Sequence, residues 1–301
     1  MKNKPKILVI GSANMDMVIK TDHFPAPGET MIGGEFSLIP GGKGANQAVA
    51  AARLGGEVSF LAQLGDDVFG AQNLENYRKE GINTAFIKLN SNKPSGVALI
   101  TVDKSGENTI IVAPGANEAI SVDDIHKARE IIEAADVILV QLEIQLSVVF
   151  EACKLASGLG KKIILNPAPA AVLQPEIFQY LFLITPNETE SEQLTGVKVV
   201  DEKTAEVASE ILLAKGVQNV IITLGAQGAY VHTNEFRGLI PTKKVVALDT
   251  TAAGDTFNGA LALALVNGGG IKEAVDFALK AATMSVTKMG AQSSIPYLKD
   301  L

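Results

Sequence analysis

The chain has 301 residues, of which 47% are hydrophobic and 20% are charged, a composition typical of a globular protein with a sizeable core. Its formal net charge is −7 and it contains no block of lysine and arginine, so nucleic acids and anionic membranes are poor candidate partners. With one cysteine, Cys153, and no apolar run long enough to span a bilayer, we expect a cytoplasmic protein without an internal disulfide.

The chain up to about residue 115 combines a regular unit with two stretches that contain only strands and turns. The regular unit is predicted as a strand, a helix, a strand and a helix: 6–10, 45–54, 58–64 and 70–80. The other stretches, at approximately 12–40 and 95–115, are broken by glycine and proline, and the second of them reads as a hairpin. Because neither has a helix of its own, we expect the two stretches to pair into one small sheet.

After residue 116, strands and helices alternate regularly, and the strands are apolar almost throughout. This alternation predicts a single α/β domain over 1–301, with a mostly parallel sheet covered by helices on both faces. In such sheets, ligands bind beyond the carboxyl ends of the strands. The predicted strands are 137–142, 162–165, 181–184, 220–223, 230–232 and 244–246. The predicted helices are 122–135, 146–157, 188–194, 204–215, 257–266 and 271–288.

The segment 249–259 reads as a strand end, a loop of small residues and the start of an apolar helix. Ala252, Ala253 and Gly254 would leave backbone N–H groups uncovered at a helix N-terminus, a position that favours an anion. Asp255 would place a carboxylate beside that anion, where it could orient a hydroxyl group and take its proton as a phosphoryl group arrives. Alternatively, Asp255 is the N-cap of the helix.

Two further polar stretches lie near the first strand. Asn14 and Asp16 follow it directly, and an amide with a carboxylate can bind vicinal hydroxyl groups, although the same residues also form Asx-turns. The stretch from Gly41 to Asn46 is rich in glycine but is neither a P-loop nor a dinucleotide fingerprint. It could line a pocket for a small polyol; otherwise Lys43 is a solvated cation and the glycines allow tight packing.

Three other polar stretches follow predicted strands. Glu143 and the nearby Gln141 could accept a further hydroxyl group, or they could lie in a surface loop. Residues 187–190 match a helix capping pattern, yet Glu190 could also hold a metal-bound water near phosphates, and Asn187 could contact a phosphate oxygen. The glycine-containing turn at 223–228 could face a phosphate or a purine.

Together these stretches resemble the ribokinase-like (pfkB-type) family of carbohydrate kinases. The two family signatures match GGKGANQA at 41–48 and DTTAAGDT at 249–256, and the pair is highly specific. Supporting pieces, each less specific, follow in family order at 24–30, 166–169 and 185–190, so the resemblance spans almost the whole chain.

The resemblance implies an α/β domain with a β-sheet lid that is made by the two inserts and that commonly pairs with a second subunit in a homodimer. It also implies ATP-dependent phosphorylation of D-ribose at its 5-hydroxyl group. Asp255 would be the general base, and the backbone N–H groups of Ala252, Ala253, Gly254 and Asp255 would form an anion hole. The residues implied to bind ribose are Asn14, Asp16, Gly42, Lys43, Asn46, Glu143 and Asp255.

The same resemblance implies the cofactor sites. ATP would lie against Asn187, Thr223, Gly225, Gly228, Gly254 and Leu279. Mg²⁺ would arrive with ATP, held mostly through water, with Glu190 nearby. A monovalent cation, usually K⁺, would bind beside the anion hole at Asp249, Thr251, Ser285, Lys288, Gly290 and Ser294. Leu279 departs from the family, whose members often carry His or Asn there, so we expect an apolar contact with adenine.

Other assignments stay open on the sequence alone. Within the family, a sugar-phosphate kinase would need a cationic cluster, whereas the proposed pocket offers Lys43, and a nucleoside kinase would need an aromatic shelf from a chain with 5% aromatic residues. A fructokinase is a further option. A non-catalytic sugar- or nucleotide-binding regulator would not need the intact pair of Gly254 and Asp255. A nicotinamide-dependent oxidoreductase would need a glycine fingerprint after the first strand, which is absent.

Overall fold

A computed structural model of the chain describes residues 4–301, so the first three residues of the predicted domain lie outside the description. Within these bounds the chain forms thirteen strands and nine α-helices. The strands are β1 Lys6–Ile10, β2 Asn14–Lys20, β3 Glu35–Gly41, β4 Glu57–Gly65, β5 Ile87–Asn90, β6 Gly96–Val102, β7 Asn108–Ala113, β8 Val137–Val140, β9 Lys162–Leu165, β10 Leu183–Ile184, β11 Asn219–Thr223, β12 Ala229–His232 and β13 Arg237–Ile240. The helices are α1 Lys43–Arg53, α2 Val68–Lys79, α3 Val122–Lys127, α4 Arg129–Ala134, α5 Leu146–Gly158, α6 Glu188–Thr195, α7 Glu202–Ala214, α8 Ala253–Val266 and α9 Ile271–Ser285.

Nine of the strands form the main sheet, in the order β13-β12-β11-β10-β9-β8-β1-β4-β5. The seven strands from β11 to β5 run parallel, and β12 and β13 extend one edge in antiparallel fashion. Strand β8 is buried along its whole length, as expected for a strand covered on both faces. The mostly parallel sheet predicted from the sequence is therefore confirmed.

Two apolar cores lie on opposite faces of this sheet, and successive residues of one strand contribute to different cores. Val9 packs in the core that contains helices α1, α8 and α9, whereas the preceding Leu8 packs in the core that contains α3, α5 and α7. The same alternation separates Leu139 from Ile138. Helices therefore cover both faces, and no helix between residues 4 and 301 is both long and apolar enough to cross a membrane.

Helices α1 and α8 pack with their backbones close together. At Gly259, a Cβ atom would lie 2.7 Å from both the Ala50 Cβ atom and the Gln47 carbonyl oxygen, so only glycine permits this approach. As a result, the first turn of α8 lies against the first turn of α1, and the two signature segments of the chain meet.

The other four strands form a separate sheet in the order β3-β2-β6-β7, here called the lid sheet. All four lie inside the two helix-free stretches that the sequence predicted to pair. One face of the lid sheet borders a cleft described below. The opposite face carries Leu38, Leu99 and Ile111, which are 43%, 52% and 71% exposed. They lie in one row across the sheet, in which Leu38 and Leu99 are each in register with Met17 of β2, and Ile111 is in register with Leu99. The lid sheet thus presents an apolar face that the chain itself leaves uncovered.

Several predicted boundaries differ from those in the structure. The helix predicted over 122–135 is two helices that meet at Ala128. The strand predicted over 244–246 is wrong: those residues have no regular structure, Val246 is 84% exposed, and β13 forms earlier in the chain. Helix α8 begins at Ala253, four residues before the predicted start. Asp255 therefore lies within the first turn of the helix.

Candidate active site

The residues predicted to bind a sugar gather where β1 and β8, neighbours in the main sheet, end. They lie next to a cleft of about 690 Å³ between the lid sheet and the loops at 247–251 and 289–293. From the lid sheet, Asp16, Ser37 and Ile39 line this cleft. The position agrees with the rule that ligands of parallel sheets bind beyond the carboxyl ends of the strands.

Glu143, just after β8, is fixed by the start of α1 and by the turn after β1. One of its oxygens, Oε2, accepts hydrogen bonds from the Ser12 hydroxyl (2.5 Å) and from the Lys43 backbone N–H (3.0 Å). Its Oε1 atom remains available to a ligand. Gln141, which the sequence offered as an alternative hydroxyl acceptor or surface residue, is neither, because it is fully buried and donates to Gln47.

Asn14 is held in one orientation by Asn117, a buried residue that the sequence analysis missed. The Asn117 side chain accepts from the Ala13 N–H (2.9 Å) and donates to the Asn14 Oδ1 atom (2.8 Å). Because Oδ1 of Asn14 already has a partner, its Nδ2 atom is left as the donor for a ligand. A local Asx-turn therefore does not account for Asn14.

Asp16 lies in a strongly negative environment. Burial, together with the nearby carboxylates of Glu143 and Asp255, raises its pKa to about 7 against the opposing charge of Lys43. Burial lowers the pKa of Lys43, but the surrounding carboxylates, Asp255 first, outweigh that effect and leave it raised. Lys43 is thus the charged partner of an acidic cluster and not a solvated surface cation.

The Asp255 side chain is turned toward α1 and is 6% exposed. Its Oδ2 accepts from the Asn46 amide (2.9 Å) and its Oδ1 from the Gln47 amide (3.1 Å). The N-cap of α8 is Ala252, which makes no side-chain capping bond, so the alternative interpretation of Asp255 as an N-cap is wrong. The carboxylate is instead held beside the sugar-binding candidates by two neutral donors.

The backbone at the start of α8 presents N–H groups that the helix does not use. The first hydrogen bond of the helix runs from the Thr256 N–H to the Ala252 carbonyl (2.8 Å), so the N–H groups of Gly254 and Asp255 precede it. The Ala253 N–H donates to the Thr250 carbonyl (3.2 Å). Ala252 has a φ of 61°, which is strained for a residue with a side chain. Of the four N–H groups predicted to form an anion hole, that of Ala253 is therefore used within the loop, and those of Gly254 and Asp255 are not used by the helix.

The segments predicted to bind ATP meet beside the end of β11. Asn187 pairs with Thr223 in a bridge between parallel segments, and the Thr223 N–H donates to the Pro186 carbonyl (3.0 Å). Gly225 and Gly228 form the turn that follows. Leu279 is 7% exposed on α9 and packs in the same apolar cluster as Ile240.

Asn187 and Glu190 form the capping box that the sequence pattern predicted. Asn187 Oδ1 accepts from the Glu190 N–H (2.8 Å), and Glu190 Oε2 accepts from the Asn187 N–H (2.9 Å). Burial raises the pKa of Glu190, and the hydrogen bond from Asn187 and the charge of Lys43 act against it. Capping leaves the Asn187 Nδ2 donor and the Glu190 Oε1 acceptor free for other partners.

Residues predicted to surround a monovalent cation tie two loops together. Asp249 accepts from the Thr251 N–H through Oδ1 (2.9 Å) and from the Gly290 N–H through Oδ2 (2.8 Å). The hydroxyl groups of Ser285 and Ser294 bond to backbone carbonyls of their own segments. Lys288 lies between these segments, and its backbone N–H also bonds locally. Hard oxygen ligands suit K⁺, and here they would be backbone carbonyls and the Asp249 carboxylate. No cluster of three or more His, Cys, Asp or Glu residues able to hold a metal occurs in the described part of the chain.

Comparison with known proteins gives the same family as the motifs. The pattern of the pfkB family carbohydrate kinases matches residues 4–298. A curated ribokinase from Haemophilus influenzae is 46% identical over 96% of this chain and 95% of its own length. A deoxyribokinase from Salmonella typhi is 38% identical over 97% and 96% of the two chains. The solved structure of a ribokinase from Arabidopsis thaliana, complexed with ribose and ATP, is 31% identical and superposes with a TM-score of 0.91 over 99% and 97% of the chains.

Proposed function

The chain belongs to the pfkB family of carbohydrate kinases, and we propose that it transfers the terminal phosphoryl group of ATP to the 5-hydroxyl group of D-ribose, with Asp255 as general base. The relative that is 46% identical over nearly the full length is named ribokinase. The structural relative from Arabidopsis thaliana is complexed with both ribose and ATP. Kinase activity on a pentose is the function that these relatives and the site support together.

The observation that carries this mechanism is the direction of the Asp255 side chain. It extends from the first turn of α8 toward Asn46 and Gln47 and leaves the N–H groups of its own helix uncapped. A carboxylate and free N–H donors therefore lie at the same point. The carboxylate accepts the proton of the 5-hydroxyl group while the N–H groups of Gly254 and Asp255 stabilise the charge of the transferred phosphoryl group.

Ribose is held by groups whose free atoms complement its hydroxyl groups. Asn14 donates through Nδ2, Glu143 accepts through Oε1, and Asp16 accepts through its carboxylate. Asn46 has a buried Oδ1 atom without a protein partner, which suits a sugar hydroxyl. Gly42 and Lys43 complete the pocket at the start of α1.

ATP lies against Asn187, Thr223, Gly225, Gly228, Gly254 and Leu279, with the free Asn187 amide directed to a phosphate and Leu279 contributing apolar surface near the adenine. Mg²⁺ that enters with ATP would neutralise phosphate charge, and Glu190 is suited to hold one of its waters. K⁺ would bind near Asp249, Thr251, Ser285, Lys288, Gly290 and Ser294 and fix the loop that presents the N–H donors. The residues present are compatible with both ions.

The proposed general base and N–H donors would each accelerate phosphoryl transfer by an amount typical of such groups in enzymes. General base assistance contributes about 10²–10⁴-fold and each oriented oxyanion donor about 10²–10³-fold. ATP must also be kept from reacting with water, and the lid sheet would serve this purpose by closing over the cleft when sugar binds.

We further propose that the exposed face of the lid sheet pairs with a second copy, and that the protein acts in the cytoplasm.

A second candidate substrate is 2-deoxyribose, because a deoxyribokinase is 38% identical over nearly the full length. The two sugars differ in one hydroxyl group, and the two carboxylates of Asp16 and Glu143, with the amide of Asn14, favour the sugar with more hydroxyl groups. A coupled assay of ADP release with ribose, 2-deoxyribose, fructose and adenosine, each with and without K⁺, tests the proposal. The highest kcat/KM with ribose supports it, and a preference for any other substrate contradicts it.

A further inference from the structure

Gln47 is a fully buried residue that touches the proposed catalytic base but cannot touch a ligand. Its exposure is 0%, whereas the neighbouring Asn46 has a free oxygen for the sugar. The Gln47 Nε2 atom lies 3.1 Å from Oδ1 of Asp255 and 3.0 Å from Oδ1 of Asn166. Both hydrogens of the amide are therefore used, and one of them fixes an oxygen of Asp255.

The orientation of the Gln47 amide is set from behind by Gln141. The Gln141 Nε2 atom donates to the Gln47 Oε1 atom over 2.6 Å, so the oxygen of Gln47 is drawn away from Asp255 and the nitrogen is turned toward it. A rotation of the Gln47 amide by 180° would place its oxygen against the carboxylate of Asp255 and the oxygen of Asn166. That arrangement has no donor and is repulsive.

This arrangement lowers the stability of the folded protein, so the needs of folding alone do not explain it. The Gln141 side chain is fully buried, and its own Oε1 atom has no hydrogen-bond partner. A buried unpaired oxygen destabilises a protein, and native proteins retain few of them. At Gly11, a Cβ atom would lie 2.1 Å from that same oxygen, so any other residue there would displace the Gln141 amide.

We propose that Gln47 is a positioning residue which, oriented by Gln141, holds the Asp255 carboxylate toward the 5-hydroxyl group of the sugar. The inference rests on the proposed function, in which Asp255 is the general base. Asn166 supports the same chain of bonds, because its Nδ2 atom donates to the Thr185 carbonyl and its Oδ1 atom is thereby left to Gln47. The carboxylate is thus held by donors on both oxygens before a substrate arrives.

The test uses Gln47→Met, which keeps the length of the side chain and removes both donors. We expect kcat to fall about 10- to 100-fold, the size expected for one hydrogen bond to a charged group. The KM for ribose should change less than threefold, because Gln47 has no surface in the cleft. Gln63→Met is the matched control, since Gln63 is another buried glutamine whose partners are Ala119, Asp124 and Asn90, and its kcat should stay near that of the wild type.

A cycle with Asp255→Asn separates positioning from a general structural role. If Gln47 acts through Asp255, Gln47→Met will not lower the residual rate of the Asp255→Asn variant any further. A further loss of tenfold or more in that background, or a kcat of Gln47→Met within twofold of the wild type, overturns the proposal. Equal losses of kcat and ribose affinity with a lower melting temperature also overturn it.

Gln141→Met gives an independent route if Gln47→Met does not fold. This change removes the unpartnered oxygen of Gln141 but leaves the buried Oε1 atom of Gln47 without its donor, so we expect the melting temperature to stay close to that of the wild type while kcat falls several-fold. An unchanged kcat contradicts the inference. The whole series is measured on the sugar that the wild type phosphorylates fastest. If ribose is not the preferred substrate, the assay of the wild type with the four substrates shows it. The result for Gln47 is then judged separately.

Discussion

The Asn46 amide nitrogen lies 2.9 Å from Oδ2 of Asp255, although the two residues are 209 positions apart in the chain. Each residue belongs to one of the two signature segments and lies in the first turn of its helix, α1 or α8. The two helices pack closely together at Gly259. The first signature segment thus donates a hydrogen bond to the carboxylate of the second. A change in the position of either helix would therefore move the proposed base, Asp255, relative to the residues proposed to bind the sugar.

Asp255→Asn should remove most of the activity while keeping the fold. Asparagine has nearly the same shape and can still accept one of the two hydrogen bonds, but it cannot take a proton from a hydroxyl group. We expect kcat to fall at least 10²-fold, as far as 10⁴-fold, in a steady-state assay, with ribose binding still detectable by calorimetry. Asp276→Asn, on the exposed side of α9, is the control. A kcat of Asp255→Asn near the wild-type value would show that another group is the base.

Ribose binding should become tighter as the pH rises from 6 to 8. Burial, with Glu143 and Asp255, raises the pKa of Asp16 to about 7. Because sugar hydroxyl groups donate to the ionised carboxylate, protonation of Asp16 competes with binding, and the Kd should be about tenfold weaker at pH 6 than at pH 8. Calorimetry across this range measures it. A Kd that does not change with pH would contradict the role given to Asp16.

The raised pKa of Asp16 also makes the stability of the protein depend on pH. Stability should fall over the pH range in which ribose binding becomes tighter. The pKa of Asp16 is higher in the folded protein than in the unfolded chain, so its contribution to stability is present near pH 4 and is lost as the pH rises through 7. Asp16→Asn lacks this loss and is expected to melt at a higher temperature than the wild type at pH 8, while binding ribose more weakly. A loss of stability that accompanies a gain in ligand affinity is common where a buried charged group serves binding.

The residues that the sequence could reveal are those whose local pattern is unusual. Glycine before a helix, Asp255 beside small residues and the capping box at Asn187 are all visible in a short window, and the alternating apolar strands predicted the parallel sheet. By contrast, Gln47 and Asn117 make contacts with residues more than 100 positions away, and the local sequence around each of them gives no signal that its polar side chain is buried. A capping box has a fixed spacing in the sequence, whereas the partners of a long-range hydrogen bond do not, so the sequence alone does not reveal them.

Local propensity also misplaced two elements. Two adjacent valines favoured a strand over 244–246, but no neighbouring strand is available there, and Val246 stays exposed. The helix predicted from Phe257 begins at Ala253 because alanine and glycine can enter a helical turn once Ala252 adopts its positive φ. In both cases the outcome depends on tertiary partners and not on the composition of the segment.

Asn117→Asp should weaken ribose binding without affecting the chemical step. The carboxylate can still accept from the Ala13 N–H, but its other oxygen would face Oδ1 of Asn14, so the Asn14 amide would rotate and lose its donor toward the sugar. We expect the KM for ribose to rise about tenfold with kcat within twofold of the wild type. Initial rates over a range of ribose concentrations measure both. A fall in kcat at saturating ribose, with KM unchanged, would contradict this role.

Leu99→Glu should separate the proposed dimer into monomers. Leu99 lies in the exposed apolar row with Leu38 and Ile111, where the register of β3, β2, β6 and β7 aligns the side chains on the face opposite the cleft. If that face pairs with a second copy, a buried charge there would be repelled by its symmetry mate, and light scattering after gel filtration should report the monomer mass. Val172→Glu, at an exposed apolar residue outside the lid sheet, is the control and should leave the mass unchanged. A wild type that is already monomeric, or a Leu99→Glu variant that remains a dimer, would rule out pairing through this face.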